Sequence, residues 1–132
     1  MKIMNPVVHF EMPYEQSDRL MTFYSQVFGW EMNALGQEMG GYVLATTTET
    51  DENRMPLRPG TIGGGFFPKG PDMPTCPSVV IAVEDIGAAM KRAADAGGTI
   101  VGHPVEISGI GQYVAIIDSE GNRIGMLQPL EM

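Results

Sequence analysis

Two stretches of this chain, HFEMPYEQSDRLMTFYSQVFGWEM (His9–Met32) and SVVIAVEDIGAAMKRAADAGGTIV (Ser78–Val101), carry one pattern twice. Laid over each other 69 positions apart and without a gap, they place Phe10 on Val79, Met12 on Ile81, Tyr14 on Val83, Met21 on Met90 and Gly29 on Gly98. Few residues are identical. The order of features is shared: an alternating strand, an acidic and polar helix entry, an apolar helical stripe, a small-residue stop and a second strand. An internal repeat of this kind means that one unit is built twice, and that the same faces must be buried in both copies.

In the first copy VVHFEM alternates, with Val8, Phe10 and Met12 on one side and Val7, His9 and Glu11 on the other. A helix is expected from about Ser17 to Phe28, with Leu20, Phe23, Tyr24 and Val27 along its buried stripe, Ser17 or Asp18 capping its start and Gly29 ending it. In the second copy Ile86 to Ala96 presents Ile86, Met90, Ala93 and Ala94 in the same way and stops at Gly97-Gly98. Each helix should cover the sheet face opposite the one bearing His9 or Ser78. Met21 and Met90 read as core at matching positions. Trp30 reads as packing or interface.

The remaining segments are strand-like: GYVLATTT (Gly41–Thr48) and TIGGGFFP in the first copy, QYVAIID (Gln112–Asp118) and RIGMLQPL in the second, the last two joined by the turn SEGN. Strand, helix and three strands, twice over, is the implied plan, an α+β fold of two tandem βαβββ modules. The modules occupy residues 5–68 and 77–130, joined by the Pro-containing segment 69–76, within a single domain spanning 1–132, a length suited to one ordinary core. The polar excursion Glu49–Gly60 reads as a mobile lid or as a long solvated hairpin loop.

The net charge of −8 opposes a phosphate backbone, and the basic residues Arg54, Arg58, Lys69, Lys91 and Arg92 form no stripe, so nucleic acid is not expected as a partner. No run approaches the roughly 18 apolar residues of a membrane helix, and the start MKIMNPVVHF has no leader-like apolar segment. A cytoplasmic protein with no membrane partner is expected. Cys76 stands alone, without a disulfide, metal-knuckle or redox partner.

The repeated unit, the FYSQVFGW that closes the first helix and the DSEGNRIGMLQP near the end resemble the vicinal oxygen chelate superfamily of glyoxalase I, bleomycin resistance proteins and extradiol dioxygenases, and are most similar to bacterial glyoxalase-related proteins of unassigned role. The resemblance implies curled mixed sheets closing a ligand cup, and a homodimer. It also implies four metal-ligand positions: His9, a residue in Gly63–Phe67, Ser78 and Gly125. Only His9 among them has a good donor, whereas a catalytic metal generally takes about three protein ligands. Glu11 adds a carboxylate two residues along the same strand. His103, followed by Pro104, is a further metal candidate on or near an edge strand and reads also as a surface histidine. No cofactor is expected, with a divalent metal as the alternative.

The cup would then present His9 and Glu11, as an acid and base pair or as a structural hydrogen bond. Tyr42, Phe66 and Tyr113 are candidate aromatic walls or core residues. Gly64, within Gly63-Gly64-Gly65, marks either close approach by a ligand or a bend in the sheet. Ser78 and Gly125 complete the candidate ligand-contacting set. The expected function is metal-free binding of a small molecule in a cup with an incomplete metal site. The alternative is a lyase or dioxygenase-type enzyme acting on a carbonyl or oxygenated substrate through His9 and Glu11 or through an atypical metal set.

Overall fold

The computed structural model describes residues 3–130. Its elements follow in the order β1 (Val7–Tyr14), α1 (Ser17–Phe28), β2 (Glu31–Ala34), β3 (Val43–Thr46), β4 (Gly63–Pro68), β5 (Ser78–Ala82), α2 (Ile86–Asp95), β6 (Thr99–Ile107), β7 (Gly111–Ile117) and β8 (Arg123–Pro129), with one 3-10 turn at Gln37–Met39. The chain therefore forms the expected α+β arrangement of βαβββ twice over. Two compact units result, one built on His9–Pro77, the other on Ser78 onward together with the segment before His9.

In the first unit the strands lie in the order β2-β3-β4-β1, with β4 parallel to β1 and antiparallel to β3. In the second unit the order is β5-β8-β7-β6, with β8 parallel to β5 and antiparallel to β7. In both, the last strand of the module is inserted beside the first, so the repeat read from local pattern extends to the pairing scheme.

Helix α1 covers the even-numbered face of β1. Leu20, Met21 and Tyr24 pack with Phe10, Met12 and Trp30 around the buried Val43, Ala45 and Phe66. Trp30 stacks on Tyr24 at a ring-centroid distance of 4.9 Å, which makes it a packing residue of its own unit. Helix α2 sets Ile86, Ala89, Met90 and Ala93 on Val114, Ile116, Ile124 and Met126. Met21 and Met90 thus occupy core positions in both repeats, as their matching places imply. The expected stripes are corrected at their edges. Phe23 and Val27 are 52% and 56% exposed, Met21 takes the place beside the sheet, and Ala89 replaces the exposed Ala94 in α2. A stripe defines an arc of the helix surface, and the tilt of the helix on its sheet decides which edge of that arc is buried.

Helix α1 begins after Gln16 with no side-chain cap, so neither Ser17 nor Asp18 serves as one. Gly29 ends it in the left-handed conformation, φ 73°, a backbone position that glycine adopts without a Cβ penalty. Helix α2 is capped by the Asp85 carboxylate, which accepts from the Ala88 N–H at 3.0 Å, and its Ile86 N–H donates to Gln128 Oε1 on β8 at 2.8 Å. The segment between β3 and β4 closes on itself as a hairpin loop: Asp51 Oδ1 accepts from the Asn53 and Met55 N–H groups, and the Leu57 N–H donates to the Glu49 carbonyl. His103 lies exposed on the edge strand β6, where the register with β7 shifts between Val101 and Val105. A bulge there fits Pro104, which has no N–H to give the ladder.

Candidate active site on the first unit

The face of β1 turned away from α1 carries His9 and Glu11. Strand β4 runs beside it in register, with Gly63 opposite His9 and Gly65 opposite Glu11, so these glycines share that face. On the other side of β4, Leu44 pairs with Gly65, and Tyr42, two residues earlier, falls on the same face. The Tyr42 ring lies directly over Gly65: a Cβ built there would overlap the phenol oxygen and its ring carbon. Only a residue without a side chain lets the ring settle there.

From that seat the phenol oxygen is 2.9 Å from His9 Nε2 and 3.1 Å from Glu11 Oε2. A phenol has one proton to give. Donated to the carboxylate, it leaves the phenol oxygen as acceptor for His9, which must then carry its proton on Nε2. Burial pushes the His9 pKa down from 6.5 to about 4, so the ring is neutral at physiological pH and has a single ring N–H. The three groups form a directional chain from imidazole N–H to phenol oxygen and from phenol O–H to carboxylate, in which each bond polarises the next.

The second unit repeats the seat. Gly125 of β8 pairs with Ala115 of β7 and Val80 of β5, and Tyr113 stands two residues before Ala115, as Tyr42 does before Leu44. A Cβ on Gly125 would lie 2.7 Å from the Tyr113 phenol oxygen and 2.9 Å from its ring carbon. The phenol-on-glycine arrangement thus belongs to both modules, whereas the histidine does not: Ser78, at the start of β5, stands where His9 stands in β1.

The structure brings His9, Glu11 and Tyr42 together and places Tyr113 over Gly125. It places two other candidate residues elsewhere. Gly64 and Phe66 lie on the opposite face of β4: Gly64 is covered by the Phe10 ring, and Phe66, 1% exposed, is among the most buried side chains of its unit. The glycine at the site is Gly65. Period-two alternation across the β1–β4 pair selects Gly63 and Gly65 as partners of His9 and Glu11, a signal that becomes available once the parallel register is known.

The metal positions implied by resemblance are not matched by suitable donors. Gly65 and Gly125 offer no side chain, phenols fill the spaces their Cβ atoms would take, and His9 Nε2 is engaged by Tyr42. Among the described residues, no three His, Cys, Asp or Glu side chains are placed to hold a metal ion. A separate open groove of about 370 Å³ lies at the start of α1, lined in part by Pro13, Arg19, Phe23 and Lys69, and contains none of the three groups of the chain.

Comparison with known proteins agrees with the architecture. The family model described as the Glyoxalase/Bleomycin resistance protein/Dioxygenase superfamily matches residues 7–126. The proteins named "Putative glyoxylase CFP32" of Mycobacterium bovis and Mycobacterium tuberculosis are each 26% identical over 121 residues, which is 90% of this chain and 42% of theirs. The chain thus spans about two fifths of the length of these relatives. Among solved structures, methylmalonyl-CoA epimerase of Mycobacterium tuberculosis superposes with a TM-score of 0.67 at 14% identity, covering 95% of this chain and 88% of that one. A hypothetical protein of Bacillus halodurans gives 0.68 at 13% identity, with 97% and 96% coverage. At such identities the likeness is one of fold.

Proposed function

Because the chain belongs to the glyoxalase/bleomycin resistance protein/dioxygenase superfamily, we propose that it binds a small molecule without a metal, at a polar centre made of His9, Tyr42 and Glu11. The observation that carries this reading is the Tyr42 phenol seated on Gly65 and bonded to both His9 and Glu11. It gives the site an ordered set of polar groups and engages the imidazole nitrogen that a metal would use. Tyr113 over Gly125 is the corresponding wall of the second module. No helix among the described residues is long and apolar enough to cross a membrane, and a cytoplasmic location accompanies the reading.

The test is a thermal-shift screen of small molecules, followed by titration of each hit against wild type, Tyr42→Phe and His9→Ala. A ligand present at 100 times its Kd stabilises by about 2.7 kcal/mol. Tyr42→Phe removes the bridge and leaves two half-buried partners short of a bond, a loss of roughly tenfold in affinity at 1–2 kcal/mol. Hits whose affinity is untouched by both variants would place binding elsewhere.

A second reading is favoured by the direction of the chain. Glu11 at its receiving end is placed as a base, with the phenol as the adjacent acid, as an enzyme acting on a carbonyl or oxygenated substrate would need. Turnover of a screened compound, abolished in Glu11→Gln with the fold intact, would establish that reading over simple binding.

The proposal includes a homodimer. Helix α1 leaves Phe23, Val27 and Phe28 52–58% exposed on a single short helix, an apolar face suited to a second copy of the chain. Sedimentation velocity should give a dimer that Phe28→Glu shifts to monomer; a wild-type monomer at tens of micromolar would remove this part of the proposal.

A further inference from the structure

We propose that the open groove at the start of α1 is a second ligand site, for a small monocarboxylate with an aliphatic or aromatic tail, its head held by Arg19 and Lys69 and its tail by Leu20 and Phe23. The groove encloses about 370 Å³, a volume of small-molecule scale, and every residue around it belongs to the first unit. Leu20 and Tyr24 place it on the helix-covered side of the sheet, whereas His9 and Glu11 face the other way. A ligand here is therefore separate from one at the polar centre.

The charge of the groove runs against that of the chain. The protein has a net charge of −8 and only eight lysines and arginines, yet two of these stand in the groove with a single carboxylate, Glu15, which leaves one net positive charge there. Backbone fixes this corner: the Lys69 N–H donates to the Tyr14 carbonyl at 2.8 Å and seats the segment after β4 beside the end of β1. From that seat Lys69 Nζ donates to Glu15 Oε1 at 3.0 Å. Arg19 acts on the same carboxylate only at longer range, and makes no hydrogen bond or ion pair of its own among the described residues. Its planar fork is available to grip a carboxylate through two N–H groups.

The surface beside Arg19 is apolar. Phe23 follows one turn later on α1 and is 52% exposed, with its ring edge-on to Tyr24 at 5.1 Å, and Leu20 and Pro13 extend the wall. Two cations alone would attract any anion. A phenyl ring left in water beside them favours an anion that brings apolar surface to cover it, and Glu15 repels a second negative charge. Val27, on the face assigned above to the dimer, lies eight residues beyond Arg19, about 12 Å along the helix axis, so the charged head site and the dimer face occupy different ends of α1.

Octanoate tests the site, with acetate supplying the head without the tail and 1-octanol the tail without the head. Each is titrated into nitrogen-15-labelled wild type, Arg19→Gln and Tyr42→Phe, and backbone amide shifts are followed. Octanoate should saturably shift the amides of Arg19, Phe23 and Lys69, bind about fivefold more weakly to Arg19→Gln, and lose affinity as salt is added. Acetate and 1-octanol should both bind more weakly than octanoate, and Tyr42→Phe should leave octanoate affinity unchanged. Equal affinity in Arg19→Gln, or 1-octanol binding as tightly as octanoate, would overturn the groove as a carboxylate site. Octanoate weakened by Tyr42→Phe and not by Arg19→Gln would overturn it too, and would assign the compound to the polar centre instead. Arg19 and Lys69 are both exposed, so should circular dichroism show Arg19→Gln unfolded, Lys69→Gln takes its place under the same expectations.

Discussion

Phe66→Ala is expected to destabilise the protein by about 3–5 kcal/mol, the range for removing a large aromatic from a packed core. Phe66 is 1% exposed, meets Phe10 edge-on at a centroid distance of 6.1 Å and Tyr24 at 5.0 Å, and pairs across the sheet with Val43, itself 1% exposed. Removing the ring leaves a void among the side chains of Phe10, Tyr24 and Val43, and the cost grows with the part of it those neighbours fail to close. Because folded domains are stable by only about 5–15 kcal/mol, the loss would bring the variant close to unfolding. Urea denaturation followed by circular dichroism measures it. A residue serving as a ligand wall would behave differently, with nearly full stability and weakened binding, so a loss below about 1 kcal/mol would return Phe66 to the site.

Acid should destabilise the protein before its carboxylates titrate. His9 has a folded pKa of about 4 against an ordinary value of 6.5, and burial is the cause. As pH falls below 6.5 the unfolded chain takes up the histidine proton while the folded chain does not. Stability is therefore full above 6.5 and is lost progressively toward pH 4, by up to roughly 3 kcal/mol at 1.36 kcal/mol per pH unit. His9→Gln should flatten that part of the curve. The depressed carboxyls of Asp118, held by the Asn122 side chain, and of Glu15, bonded to Lys69, act in a lower window. They favour the folded state above their ordinary values of 3.8 and 4.5 and lose that effect as pH falls further. Both are solvent-exposed, so their contributions are small. Unfolding free energies measured at intervals between pH 4 and 8 would show the histidine step. A curve unchanged by His9→Gln would mean that the imidazole titrates in the open.

The modules, their helices and the assignment of His9 and Glu11 to the face away from the helix were legible because they rest on local rules: period two in β1, period 3.6 in α1 and α2, and a left-handed glycine at the end of α1. What was not legible depends on pairing over distance. Whether Gly64 or Gly65 faces the site is decided by the parallel register of β4 on β1, a contact between residues more than fifty positions apart in which a shift by one exchanges the two faces. The same shift sends Phe66 to the core. The equivalence of Tyr42 and Tyr113 was hidden for a related reason. The segments leading from α1 to Tyr42 and from α2 to Tyr113 differ in length, so the ungapped match that revealed the repeat ends before reaching the tyrosines, and only their glycine partners in β4 and β8 expose the correspondence. The helix stripes were misjudged at their edges because periodicity gives an arc and not its orientation on the sheet.

The proposed polar centre consists of the Tyr42 phenol, the His9 imidazole and the Glu11 carboxyl, with no metal among them. Elemental mass spectrometry of wild-type protein, purified without a metal-affinity tag or chelator, tests it most directly. A metal-free centre predicts nickel, zinc, iron and manganese each far below one equivalent per chain, unchanged in His9→Ala. Near-stoichiometric metal that His9→Ala removes would contradict it and would mean that Tyr42 yields His9 to a cation.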